Sequence, residues 1–212
     1  MDTDQLIQTL VADTDRREPP VGSVLAIALA AGGAISTVIF FASLGFRDDI
    51  AMAIYNPFFD LKFVITIALA VSAIAISVHL SRPEASLEGW KWMLLIPVGL
   101  LALGIACEML LPQQLPWITR LIGSKSKACM TAIPLLSLPI LVAALVALRH
   151  GAPSRPTLAG AFAGLLSAGC AATLYASQCI DDSPLFVATW YSIAIAAVTA
   201  LGALAGTKLL RF

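Results

Sequence analysis

Cys170–Tyr191, CAATLYASQCIDDSPLFVATWY, decides the architecture: an apolar segment ends, a short acidic turn follows, and another apolar segment begins. Asp181, Asp182 and Ser183 have the side chains to turn the chain and cap a new helix. Pro184 fits the first helical position, where a missing N–H is one that would have lacked a partner anyway. A hairpin between two membrane helices follows from that order. Cys179 stands four residues after Tyr175, so a helix places both on one face, at the rim where hydrocarbon gives way to water. A thiol there is within reach of oxidants and metals. The plainer reading is a small residue tolerated at a helix end.

The rest of the chain repeats the pattern. Of its 212 residues, 59% are hydrophobic and 12% charged, and the mean hydropathy of +0.89 is that of an integral membrane protein. A net charge of +0 and the lack of a dense Lys/Arg cluster give no footprint for nucleic acid. The acidic first twenty residues lack the basic start of a cleavable signal peptide, so the first membrane helix is expected to serve as the targeting signal. Apolar runs predict spans at Ser23–Phe46, Leu61–Leu80, Trp90–Leu111, Cys129–Leu148, Leu158–Gln178 and Leu185–Leu204, each long enough for a hydrocarbon core of about 30 Å. The fold class expected is all-α, a six-helix transmembrane bundle. Gly32, Gly33 and Ser36 give the first span a small-residue side for close helix contact. Pro134 and Pro139 are expected to bend the fourth, and the Ala- and Gly-rich fifth is expected to be buried among the others.

Residues 1–21 form a separate segment ahead of a membrane domain at 22–212. Leu6, Ile7, Leu10 and Val11 recur at helical spacing, and Asp2 with Gln5 makes a capping pair. So short an amphipathic helix is marginal alone in water and needs a surface to lie on. A membrane surface is one candidate, but the polar face carries Asp2, Asp4 and Asp13 where a lipid-bound helix carries Lys and Arg. A groove on a protein partner fits better. Six spans put both termini on one side. Counting Lys and Arg around the spans gives eight on that side against five on the other, which favours cytoplasmic N- and C-termini in a bacterial inner membrane.

Ionisable residues are sparse within the expected spans, which counts against a transport path. G-x-S-x-G, H-E-x-x-H and Walker patterns are absent from the sequence, so neither an enzyme nor a cofactor is expected. His79 and His150 fall at one end of their helices and Cys107, Cys129 and Cys179 at the other, so a mixed zinc site would have to cross the bilayer. Cys129 opens the fourth span and Cys179 closes the fifth, two thiols on one membrane face. In an oxidising compartment they can form a disulfide, bind a soft metal transiently, or be coincidental.

The hairpin LYASQCIDDSPLFVATWY, the segment SKACMTAIPLLSLPI, the NPFFDLKF start of span two and the N-terminal TDQLIQTLVAD together resemble the NrsF family of six-helix membrane anti-sigma factors, nearly end to end. The resemblance implies sequestration of an extracytoplasmic-function (ECF) sigma factor of the SigF type, with release under envelope, thiol or metal stress. Cys129 and Cys179 match the cysteines of the family pattern and would be the signal-sensing and metal-capturing residues. Leu6, Ile7, Leu10 and Val11 would hold the partner. The H-x-x-x-C-x-x-C signature of zinc-binding anti-sigma domains is missing from the sequence. A small polytopic transporter or a membrane thiol redox protein is the alternative.

Overall fold

A computed structural model describes residue 5 and residues 20–81, 88–112, 114–151 and 153–210. The proposed contact residues Leu6, Ile7, Leu10 and Val11 lie outside these. Six helices are long and apolar enough to cross a membrane. They are α1 (Val21–Ser43), α2 (Pro57–Leu80), α3 (Trp90–Leu110), α4 (Ser126–Arg149), α5 (Pro156–Ala176) and α6 (Pro184–Leu209). Short helices at Ile50–Ala53 and Trp117–Ile122 sit in the loops after α1 and α3. Alternating directions bring the ends of α1, α3 and α5 and the starts of α2, α4 and α6 to one face, here the hairpin face.

Local chemistry sets the helix limits. Ser23 Oγ donates to Pro20 O (2.8 Å) at the start of α1, and Gly45, with φ of 70°, ends it while its N–H donates to Phe40 O (3.0 Å). Asn56 caps α2 by accepting from Phe58 N (3.0 Å), with Pro57 at the first position. This cap starts α2 four residues ahead of the expected Leu61. The first turn of α3, Trp90–Leu94, is a 3₁₀ turn. In α6 a π-helical turn spans Val187–Tyr191, a local widening that often accompanies functional sites. Helix α4 runs uninterrupted through Pro134 and Pro139, with Ser137 Oγ donating to Pro134 O (2.7 Å).

Close backbone approach holds the bundle together, as expected where lipid removes the hydrophobic drive between helices. Gly160 and Gly164 of α5 face Gly202 and Gly206 of α6, and a Cβ on Gly164 would lie 2.6 Å from Val198 O. On the other side of α5, a Cβ on Gly169 would lie 3.0 Å from Ala70 Cα of α2. The expected central position of the fifth span is what these contacts create. Helix α1 lies on α4 where Ser36 Oγ donates to Leu136 O (2.7 Å) and where a Cβ on Gly32 would meet Ile140 Cα at 2.9 Å. Gly33 faces open space instead. The apolar side chains left exposed, among them Ile27, Val38, Val71, Val98 and Val142, form the surface a bilayer covers.

Candidate functional site

Ser177–Leu185 links α5 to α6, and parts of the chain up to 135 residues away bond to it. Lys62 stands in the second turn of α2 and is 1% exposed. Its ammonium donates to Asp182 Oδ1 (2.5 Å) and Cys179 O (2.7 Å) and lies 4.9 Å from the Phe59 ring centre. A buried cation of this kind is tolerated only when paired and hydrogen-bonded. Arg47, from the loop after α1, donates to both oxygens of Asp182 (3.0 and 3.1 Å), to Cys179 O (3.3 Å) and bidentately to Asp49 (2.6 and 2.7 Å). The Asp49 hydrogen bonds push the Arg47 guanidinium well above its ordinary range. In return, those from Arg47 hold the Asp49 carboxyl below its own. Asn56 Nδ2 completes the set on Asp182 (3.4 Å).

Asp181 serves a different helix. Its carboxylate accepts from Ser124 N, Ser124 Oγ and Lys125 N, the last at 2.8 Å, at the N-terminus of α4, where a negative charge is favoured. The expectation that the acidic turn caps the helix it introduces is therefore corrected. Ser183, at the N-cap of α6, makes no capping bond with its side chain. Its hydroxyl donates to Glu108 Oε1 of α3 (2.6 Å), while Glu108 Oε2 accepts from Leu185 N (3.1 Å). Glu108, 2% exposed, also pairs with Arg120 (2.5 Å). Pro184 does occupy the first helical position.

Behind this polar layer lies a buried cluster containing Cys129, Cys179, Tyr175, Tyr191, Phe186 and Phe40. Both cysteines are free thiols with 0% exposure, and the structure brings them into one cluster from the start of α4 and the end of α5. Cys179 stays attached to the helix end through Cys179 N to Tyr175 O (3.0 Å). Cys179 lies just past the end of α5, and it is covered, in one buried cluster with Phe186 and Tyr191. Burial is the main cause pushing the Cys179 thiol up. Asp181 adds to it, while the Lys62 charge opposes it. The hydroxyls of Tyr175 and Tyr191, rings 5.9 Å apart, are buried and interact with the Cys179 thiol. Among the described residues no group of three or more His, Cys, Asp or Glu is arranged to hold a metal ion.

Sequence reasoning passed over Lys62, Arg47, Glu108 and Arg120, which were counted as loop or rim charges. Lys62 and Glu108 had a readable signal, an ionisable side chain inside an apolar run. Their partners are invisible at the level of spacing, since Lys62 and Asp182 are 120 residues apart.

A family model described as negative regulator of sigma F, NrsF, matches residues 10–212. The chain is 35% identical to the anti-sigma-F factor NrsF of Caulobacter vibrioides, with all of both chains covered. It is 31% identical, again over all of both chains, to a probable anti-sigma-F factor NrsF of Azospira oryzae. No solved structure matches it. Matched nearly end to end, with its hairpin tied into every loop of the hairpin face, the chain belongs to the NrsF family of negative regulators of sigma F.

Proposed function

We propose that this chain holds an ECF sigma factor of the SigF type at the bacterial inner membrane, with both termini cytoplasmic, and releases it when Cys129 and Cys179 react. Residues 1–21 are the contact segment, with Leu6, Ile7, Leu10 and Val11 as the face laid into the partner. Family membership supports a sigma factor as the partner. The orientation rests on the Lys and Arg count around the spans, eight against five.

The observation that carries the thiol reading is the convergence of Cys129 and Cys179 in one buried cluster. Joining the sulfurs as a disulfide gives up two protons and passes two electrons to an oxidant such as a peroxide. A thiophilic metal ion displaces the two protons instead. Either event draws the start of α4 toward the end of α5. Because Lys62 and Arg47 grip the Cys179 carbonyl, the displacement loads the polar layer that joins the other helices. Replacing both Leu6 and Leu10 by Asp places charges where an apolar face must be buried, and should abolish co-purification of the sigma factor while the bundle stays folded. Retention of the partner after removal of residues 1–12 would contradict the contact assignment and move it to the loops around Arg82 and Arg149.

A further inference from the structure

Helix α3 is tied to the hairpin at one end and to α2 at the other, where Ser72 Oγ donates to Met93 O (3.2 Å) and Trp90 stacks on His79 with ring centres 4.6 Å apart. At the hairpin face, Gly104 lets Leu61 and Pro184 approach, so that a Cβ there would lie 2.6 Å from Leu61 Cδ2 and 3.4 Å from Pro184 Cγ. One turn on, the buried Glu108 carboxylate ties α3 to Arg120, to Ser183 Oγ and to the Leu185 N–H. It caps α6 in trans, a charge-assisted bond to a helix N-terminus. Toward the opposite face the packing opens. An apolar crevice of about 510 Å³ separates Pro97, Val98 and Leu101 of α3 from Ile195, Ala196 and Thr199 of α6. Leu95, Ile96 and Val98 are each more than half exposed.

We propose that α3 is the arm that carries the state of the hairpin across the membrane, with Glu108 as its positioning residue. The inference rests on the anti-sigma reading for its output, but not for its geometry. Glu108 bonds to Ser183 and Leu185, a few residues past Cys179, so a shift of the hairpin pulls directly on α3. Loss of that attachment lets α3 rock on its contacts with α2 and close the crevice against α6, which displaces the Trp90–Leu94 turn at the far face. Helices α5 and α6 are locked together by the glycine contacts, and α1 is tied to α4 by the Ser36 bond.

The test uses the full chain in lipid nanodiscs, with Cys107→Ser and Cys170→Ser, and spin labels on Trp92→Cys and Leu209→Cys, both exposed at the far face. The interspin distance should shift by about 2 Å or more, the scale of helix displacements in switching proteins, when Glu108→Ala is added. A smaller shift in the same direction is expected for Arg120→Gln, which leaves the Ser183 and Leu185 bonds in place. An unchanged distance in folded Glu108→Ala protein overturns the proposal. If that variant does not accumulate, an unchanged distance in Arg120→Gln does so. No sigma factor is present in this measurement, so its outcome is independent of the partner assignment. In cells, Glu108→Ala should raise uninduced sigma output about fivefold or more, and should do so equally with Cys129→Ser and Cys179→Ser, because Glu108 acts after the thiols. Repression intact in Glu108→Ala while the wild type responds normally would also overturn it.

Discussion

Replacing Lys62 by Met tests whether the hairpin is held by a buried ion pair. Methionine keeps the stem and removes the ammonium that sits 2.5 Å from Asp182 Oδ1 and 2.7 Å from Cys179 O. Breaking a buried pair from one side costs about 3–5 kcal/mol, chiefly because a buried charge is left without its partner. Asp182 is 13% exposed at its side chain and retains Arg47 and Asn56, which places Lys62→Met near the lower end, about 3 kcal/mol. Asp182→Asn strands a fully buried ammonium and falls toward the upper end, about 5 kcal/mol. In the double variant neither charge of this pair remains, and Arg47 still has Asp49, so the loss should fall short of the sum by at least about 1 kcal/mol. Reversible denaturant unfolding in one detergent, followed by tryptophan fluorescence, gives all four corners of the cycle. Additivity within about 0.5 kcal/mol, or a neutral Lys62→Met, would refute the reasoning.

Gly164→Leu should abolish folding in the same detergent, because its Cβ would fall 2.6 Å from a backbone oxygen that cannot move aside, whereas Gly33→Leu, with nothing within 4 Å, should keep a near-native folded yield. In the folded protein a maleimide should modify the exposed Cys107 first, and Cys129 and Cys179 only after denaturation, as mass spectrometry of the labelled chain would record. The Cys179 thiol ionises later in the folded chain than in the unfolded one, so the folded state binds more protons above the ordinary thiol range of about 8.5. Its contribution to stability should therefore fall as pH rises through that range, and Cys179→Ala should flatten the measured decline. Cys129→Ser with Cys179→Ser should leave repression in place and remove induction by a soft metal or an oxidant in a sigma-dependent reporter. Normal induction in that variant would make the thiols passive packing residues.

The six spans were legible because apolar runs of this length, with few charges, have one economical structure in a bilayer. Their limits shifted where a polar side chain supplied a cap. Asn56 starts α2 before Leu61, and Asp181 braces the N-terminus of α4, which begins at Ser126 and not at Cys129. Small residues announced close packing, but only geometry separated Gly32, which touches α4, from Gly33, which faces outward. The thiols were found by their place at helix ends. Their complete burial was not, since it depends on how the hairpin folds back. Lys62 and Glu108 were missed for a related reason: a charge close to the end of an apolar run reads as a rim charge until its partner, supplied by another loop, is known. The helix Trp117–Ile122 went unread because six residues carry too little periodicity to identify it.

Whether this chain keeps a sigma factor on the membrane is read most directly from the distribution of that factor between membrane and soluble fractions of cells with and without the chain. The factor should sediment with the membrane when the chain is present, become soluble when it is deleted, and become soluble on thiophilic stress only while Cys129 and Cys179 are intact. A factor that stays soluble in cells containing the wild-type chain, with its target promoters already active, would contradict it.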